Sequence, residues 1–128
     1  IKKDNKYRLS PIFDNGSSLF PQLNTDEKID AALGNQEEID IRIYKFPTSQ
    51  VKYQGKKSSY YEIISSLAFE ECNHALVRII ERIDFGKINK LIDSIENISE
   101  KRREFYKTIL KQRYEKILLK SYNELMSK

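Results

Sequence analysis

The last quarter of the chain constrains the fold more than any other stretch. From Ser99 to about residue 126, Phe105, Ile109, Leu110, Tyr114, Ile117, Leu118, Tyr122 and Leu125 return at the three- and four-residue steps of an α-helix. Ser99 is placed to accept from the open backbone amides of the first turn. A helix with so long an apolar stripe must lay it against other elements, so the rest of the chain has to supply them.

Helix signals recur upstream. Thr25 caps a helix that carries Asp26 and Glu27 in its first turn, where negative charge suits the dipole, and Gly34 closes it. Residues 37–44 form a second short element; Ile39, Ile41 and Ile43 alternate, so a strand competes with a helix there. Phe46-Pro47-Thr48-Ser49 breaks it, and residues 52–57 read as a polar loop around Gly55. Ser59-x-x-Glu62 is a capping box that opens a helix with Tyr60, Ile63, Ile64 and Leu67 inward, and a break falls near Phe69. Ala68, Cys72, Ala75, Leu76, Ile79, Ile80 and Ile83 then predict a helical stripe. Asp84 is positioned to cap a further helix with Phe85, Ile88, Leu91, Ile92 and Ile95 facing the core.

Residues 1–19 do not follow this pattern. Asp4-Asn5 is a turn dipeptide, and Lys6-Tyr7-Arg8-Leu9 alternates as a half-buried strand does, so residues 1–3 are what remains of the first strand of a hairpin. Pro11 and Asn15-Gly16-Ser17-Ser18 end regular structure, leaving residues 12–19 as a shaped loop that Pro21 continues. The expected fold is mainly α: a short N-terminal β-hairpin followed by about five or six packed helices. It forms a single domain over residues 1–128, with a hairpin and loop segment at 1–24 and a helical segment at 25–128.

The bulk numbers fit that picture. A chain of 128 residues can bury a substantial core, and 39% hydrophobic with 33% charged residues suits amphipathic helices with wide solvated faces. No apolar run approaches the roughly 20 residues of a membrane span, and no secretory signal opens the chain. One cysteine, Cys72, excludes an internal disulfide and leans towards a reducing compartment, so a cytoplasmic location is expected. The chain opens on Ile1 and its single Met is Met126, which points to a fragment of a larger protein.

The segment that carries chemistry is Leu9-Ser10-Pro11-Ile12-Phe13-Asp14-Asn15-Gly16-Ser17-Ser18-Leu19. A strand delivers the carboxylate of Asp14, and Gly16 permits a backbone turn that other residues resist, with hydroxyls and amides from Ser17 and Ser18 alongside. A fixed carboxylate beside such a turn is one way to hold Mg²⁺ against substrate phosphates. Asp-Asn-Gly is equally an ordinary turn sequence, and the residues alone leave both readings open.

Leu9, Pro11, Ile12, Phe13, Asp14, Asn15, Gly16, Ser17 and Ser18 resemble the segment of HipA-like serine/threonine kinases in which a hairpin after the catalytic loop ends in Leu-x-Pro-Ile/Leu-Phe/Tyr-Asp. The resemblance implies that Asp14 binds Mg²⁺ bridging the β- and γ-phosphates of ATP. It puts Asn15, Gly16 and Ser17 beside the nucleotide, and it makes the helices the helical end of such a kinase lobe. It also implies a missing N-terminal part of the same protein, a protein substrate and room for an antitoxin-like partner. The family's catalytic Asp, and the Asn that follows it, lie upstream of this hairpin and outside the chain. No kinase activity is therefore expected from these residues alone.

Other constellations have structural readings. Asp84-Phe85-Gly86 spells the metal-binding triplet of ordinary kinases, and Asp84 to Asn89 has catalytic-loop spacing, but one run cannot serve as both, and a helix cap with a core aromatic suffices. Cys72 and His74 point to nearly opposite helix faces, which makes Cys72 core and His74 exposed. Glu37, Glu38 and Asp40 read as a solvated acidic face.

Net charge is +4, yet residues 101–128 hold nine Lys/Arg against three Asp/Glu, while the other hundred hold 14 against 16. Lys101, Arg102, Arg103, Lys107, Lys111, Arg113, Lys116 and Lys120, with Tyr106 nearby, could therefore form a cationic helix face. That is the second expectation: a non-enzymatic helical interaction module that binds nucleic acid or an acidic partner.

Overall fold

Thr25 begins the helical part of the molecule as the sequence predicts. Its hydroxyl accepts from the amide of Lys28 at 3.3 Å, starting α1 (Asp26–Leu33), and Gly34 ends that helix with its N–H on the carbonyl of Asp30 at 2.9 Å. The structure, a computed structural model, describes residues 2–3, 6–7, 19–46 and 48–128, with side chains described in 19–46 and 52–128. Within the described residues β1 (Lys2–Lys3) pairs antiparallel with β2 (Lys6–Tyr7), the short hairpin expected at the N-terminus.

The competition over residues 37–44 resolves to helix. The Asn35 side chain caps α2 (Gln36–Asp40), which continues as a π-helical segment over Ile41–Lys45. Ile39 and Ile43, four apart, are both buried, whereas Ile41 is only half-buried. The alternation in sequence is thus incidental: a helix needs only residues four apart, Ile39 and Ile43, to face inward.

The polar loop expected at residues 52–57 is a second hairpin, β3 (Thr48–Tyr53) against β4 (Lys56–Ser59). Its two connecting residues, Gln54 and Gly55, have φ of 55° and 80°, the positive pair that a two-residue hairpin turn with the right twist requires. The sequence hides it because its strands carry Lys52, Lys56 and Lys57 rather than an apolar alternation. Tyr53 docks the hairpin edge-on against Phe69, ring centroids 5.6 Å apart.

Ser59 caps α3 (Tyr60–Ser66) through the amide of Glu62. The break near Phe69 is present: Leu67 takes a left-handed φ of 55°, and Asn73 donates to its carbonyl at 3.0 Å. Then follow α4 (Glu70–Ile80), α5 (Phe85–Ser94) and α6 (Glu100–Arg113), with Asp84 and Ser99 as caps. A π-helical segment, Tyr114–Leu119, joins α6 without interruption to α7 (Lys120–Met126). The described residues therefore form six helical rods and two small hairpins, the mainly α fold expected.

Phe105, Ile109, Ile117 and Ser121 are the fully buried positions of the last rod, a period of four. A regular α-helix of 3.6 residues per turn would carry residue 121 about 160° around the axis from residue 105. The wider π turns rotate less per residue and keep Ile117 and Ser121 on the packed side. Ile29 and Ala32 of α1, Ile39 of α2 and Ile43 of its π-helical continuation complete the core around Phe105, Ile109 and Ile117.

Seven inward assignments fail. Tyr60, Ala68, Cys72, Ala75, Ile79 and Ile95 are exposed and Leu91 is 67% exposed, because α3, α4 and α5 each bury a single residue, Ile63, Leu76 and Ile92. An apolar residue on a stripe is buried only if a neighbour reaches it. Phe105→Ala should accordingly lower stability by about 3–5 kcal/mol in urea denaturation, whereas Leu91→Ala should change it by no more than about 0.5 kcal/mol.

Candidate functional site

Asp14, Asn15, Gly16 and Ser17, the sequence-predicted metal and nucleotide residues, lie outside the described residues. What is described is the segment that directly follows them and the helices that receive it. Leu19, Phe20 and Leu23 pack on the core cluster. Residues 20–23 form a turn in which the Leu23 amide donates to the Phe20 carbonyl at 3.1 Å, with Pro21 at the position its fixed φ suits. Arg102 of α6 donates to the Leu23 carbonyl from the far side.

Phe20 has a φ of 57°. That region is unfavourable for a bulky side chain, and a following proline also biases a residue towards extended backbone. Such a conformation costs about 1–3 kcal/mol and persists only where the surroundings over-determine it. Here they do. The Phe20 ring meets the fully buried Phe105 edge-on, centroids 6.4 Å apart and planes at 73°. The guanidinium carbons of Arg42 and Arg113 lie 5.5 and 5.4 Å from the Phe20 ring centroid, within cation–π range. Arg42 is oriented by its own helix, donating to the Glu38 carboxylate and to the Glu38 carbonyl, both at 2.9 Å. Arg113 donates to the Arg42 carbonyl at 3.4 Å, and its burial pulls its pKa below the usual arginine value without removing its charge. Neither Phe20 nor Arg42 is singled out by sequence reasoning; the only local signal is an aromatic residue placed directly before Pro21.

The other constellations have structural roles. Asp84 accepts from the Lys87 amide at 3.3 Å as a cap, and Phe85 packs edge-on against Tyr114 at 5.2 Å. His74 is exposed, 3.9 Å from Glu70. Among the described residues, no group of three or more His, Cys, Asp or Glu could hold a metal ion. The acidic cluster is paired: Glu38 with Arg42, and Asp40 with Lys116 at 2.8 Å and Gln36 at 2.9 Å.

The basic face is likewise largely engaged within the chain. Lys101 reaches Asp30 at 2.9 Å, Lys107 reaches Asp93 at 2.7 Å, and Arg103 pairs with Glu100. Arg102 lies over the Tyr106 ring at 6.0 Å, leaving Lys111 and Lys120 among the exposed cations of this rod. Lys101, Lys107 and Lys116 tie the last rod to α1, α5 and α2 respectively. No helix among the described residues is long and apolar enough to cross a membrane.

No family model matches the chain. Over 114 residues it is 40% identical to the serine/threonine-protein kinase CtkA of Helicobacter pylori, an alignment covering 88% of this chain and 35% of that protein. It also superposes on a crystal structure of the Helicobacter pylori proinflammatory kinase CtkA with a TM-score of 0.84 and 37% identity, covering 95% of this chain and 41% of that one. This chain is homologous to part of a kinase. It spans well under half the length of the relative it matches, and the shared part carries the helical fold described above.

Asp40 offers a test of the ion-pair scheme. Hydrogen bonds from Lys116 and then Gln36 hold its carboxyl below the usual value, outweighing the opposing effect of burial. A lowered folded-state pKa adds stability above the unfolded value, and that stability is lost as pH falls through the folded one. In denaturant titrations the wild type should therefore be more stable than Asp40→Asn at neutral pH. That advantage should vanish below the ordinary carboxylate range.

Proposed function

We propose that this chain is the C-terminal portion of a HipA-like serine/threonine protein kinase and that Asp14 is its metal-binding residue. The observation that carries the reading is the homology to a serine/threonine kinase at 40% identity across 88% of the chain. The run Leu9, Pro11, Ile12, Phe13, Asp14 supports the finer assignment.

By donor chemistry the run suits Mg²⁺: one hard carboxylate, with the remaining ligands left to phosphate and water. When bound, the metal neutralises charge on the β- and γ-phosphates of ATP as phosphoryl transfer proceeds. The task of this chain is positioning. Asp14 holds the cation, and Asn15, Gly16 and Ser17 offer an amide, a close-approaching backbone and a hydroxyl beside the nucleotide. The base that takes the substrate hydroxyl's proton is not among the residues assigned here and is left to the rest of the parent protein. In this reading the protein works in the cytoplasm on a protein substrate.

Asp14→Asn in the full-length protein should reduce phosphoryl transfer by more than about 100-fold. Its circular dichroism and melting temperature should match the wild type. Full activity in that variant would end the reading.

A further inference from the structure

Helix α4 holds more apolar surface than its neighbours cover. It packs on α7 and on the π-helical segment before it, and it buries Leu76. Cys72, Ala75 and Ile79 fall within about 60° of one another around its axis. All three are exposed, Ile79 by 47%. Glu71 and Arg78 border that strip on its outer edge, and both are exposed. Neither has an ion-pair partner among the described residues, whereas the adjacent Glu70 lies 3.9 Å from His74. An open apolar strip edged by unpaired charges of both signs is the pattern by which one helix selects another and its orientation.

The order of those charges says which helix. Within α4 the acidic residue precedes the basic one by seven positions, 71 to 78, close to two helical turns, so both project from the same edge. A second copy of α4 laid antiparallel, about a two-fold axis passing beside Ala75, brings Glu71 of each copy opposite Arg78 of the other. The same operation sets Cys72 of one copy beside Ala75 of the other and turns Ile79 towards the start of the facing helix. One rotation thus satisfies both charge pairs and covers the strip, as an isologous contact must. A parallel pairing would instead put like charges at equal heights. We infer that the exposed face of α4 is a self-association surface on which a second copy of this protein docks antiparallel. A helix of 11 residues makes a contact at the small end of interface sizes, so the dimer is reversible and concentration-dependent. The inference uses only described residues of α4 and stands apart from the kinase reading.

The test uses the full-length protein in sedimentation equilibrium across the micromolar range, with circular dichroism to check folding. The wild type should pass from monomer to dimer as its concentration rises. Glu71→Arg and Arg78→Glu should each weaken the dimer about 10-fold or more, because each sets like charges opposite one another twice per dimer. The double variant Glu71→Arg with Arg78→Glu should recover it. So should an equimolar mixture of the two single variants, in which every facing pair is again of opposite sign. If either reversal unfolds the chain, Ala75→Lys, a good helix former in the middle of the strip, takes its place and should abolish the dimer. A wild type that stays monomeric, as it would if the rest of the parent protein covered this face, overturns the inference. A dimer left unchanged by the folded single variants or by Ala75→Lys also overturns it, as does a failure of the double variant or the mixture to recover.

Discussion

Burial of Phe105 and Ile109 in the middle of the last rod is the interaction on which the remainder of the structure depends. Both are fully inaccessible, and α1, α2 and the Phe20 turn each contribute a side chain to the surface that covers them. A fully buried phenylalanine or isoleucine contributes on the order of 2–3 kcal/mol of transfer free energy. More important here is that one pair of side chains serves three neighbours, so the short helices α1 and α2, too short to persist alone in water, share a single template. The same pair sets the height at which Arg113 leaves the rod, one turn beyond Ile109, and so where it can meet Phe20.

Charge then orients what apolar burial gathers. Ser99 accepts from the Arg102 amide and donates to Asp26 at 2.7 Å, so one hydroxyl caps α6 and ties it to the first turn of α1. Lys101–Asp30, Lys107–Asp93 and Lys116–Asp40 repeat the pattern along the rod, each joining it to a different helix. Such exposed pairs add little energy individually. Their effect is on register: apolar stripes tolerate sliding, and a set of opposite charges at fixed heights does not. Three cations of the basic tail, Lys101, Lys107 and Lys116, thus serve as connections within the bundle.

What residue order reveals divides in the same way. Asp14 and its neighbours could be picked out from residue types and order, because a carboxylate before an Asn-Gly turn is a local arrangement and its likeness to a kinase segment is a matter of sequence. Phe20, Arg42 and Arg113 could not. They are separated by 22 and then 71 positions in the chain, and nothing in their immediate surroundings marks them except a proline. Their association exists only because α2 and the last rod pack side by side.

What the sequence alone determined was local. Thr25, Ser59, Asp84 and Ser99 begin helices because a short polar side chain reaches a backbone amide three residues ahead, and no other part of the protein is needed for that bond. The helical character of the chain, its N-terminal hairpin and the position of the Asp14 run follow from the same short-range chemistry. Tertiary structure decided which face of each helix is covered, and so left Leu91 and Cys72 in solvent. It also set the π turns that keep Ile117 and Ser121 on the packed side, the lysine-rich second hairpin, and the left-handed backbone of Phe20. Each of these departs from what the isolated segment prefers, and each is held by partners distant in sequence. Burial and cation–π contact act through space, and the order of residues does not fix them until the rods are packed.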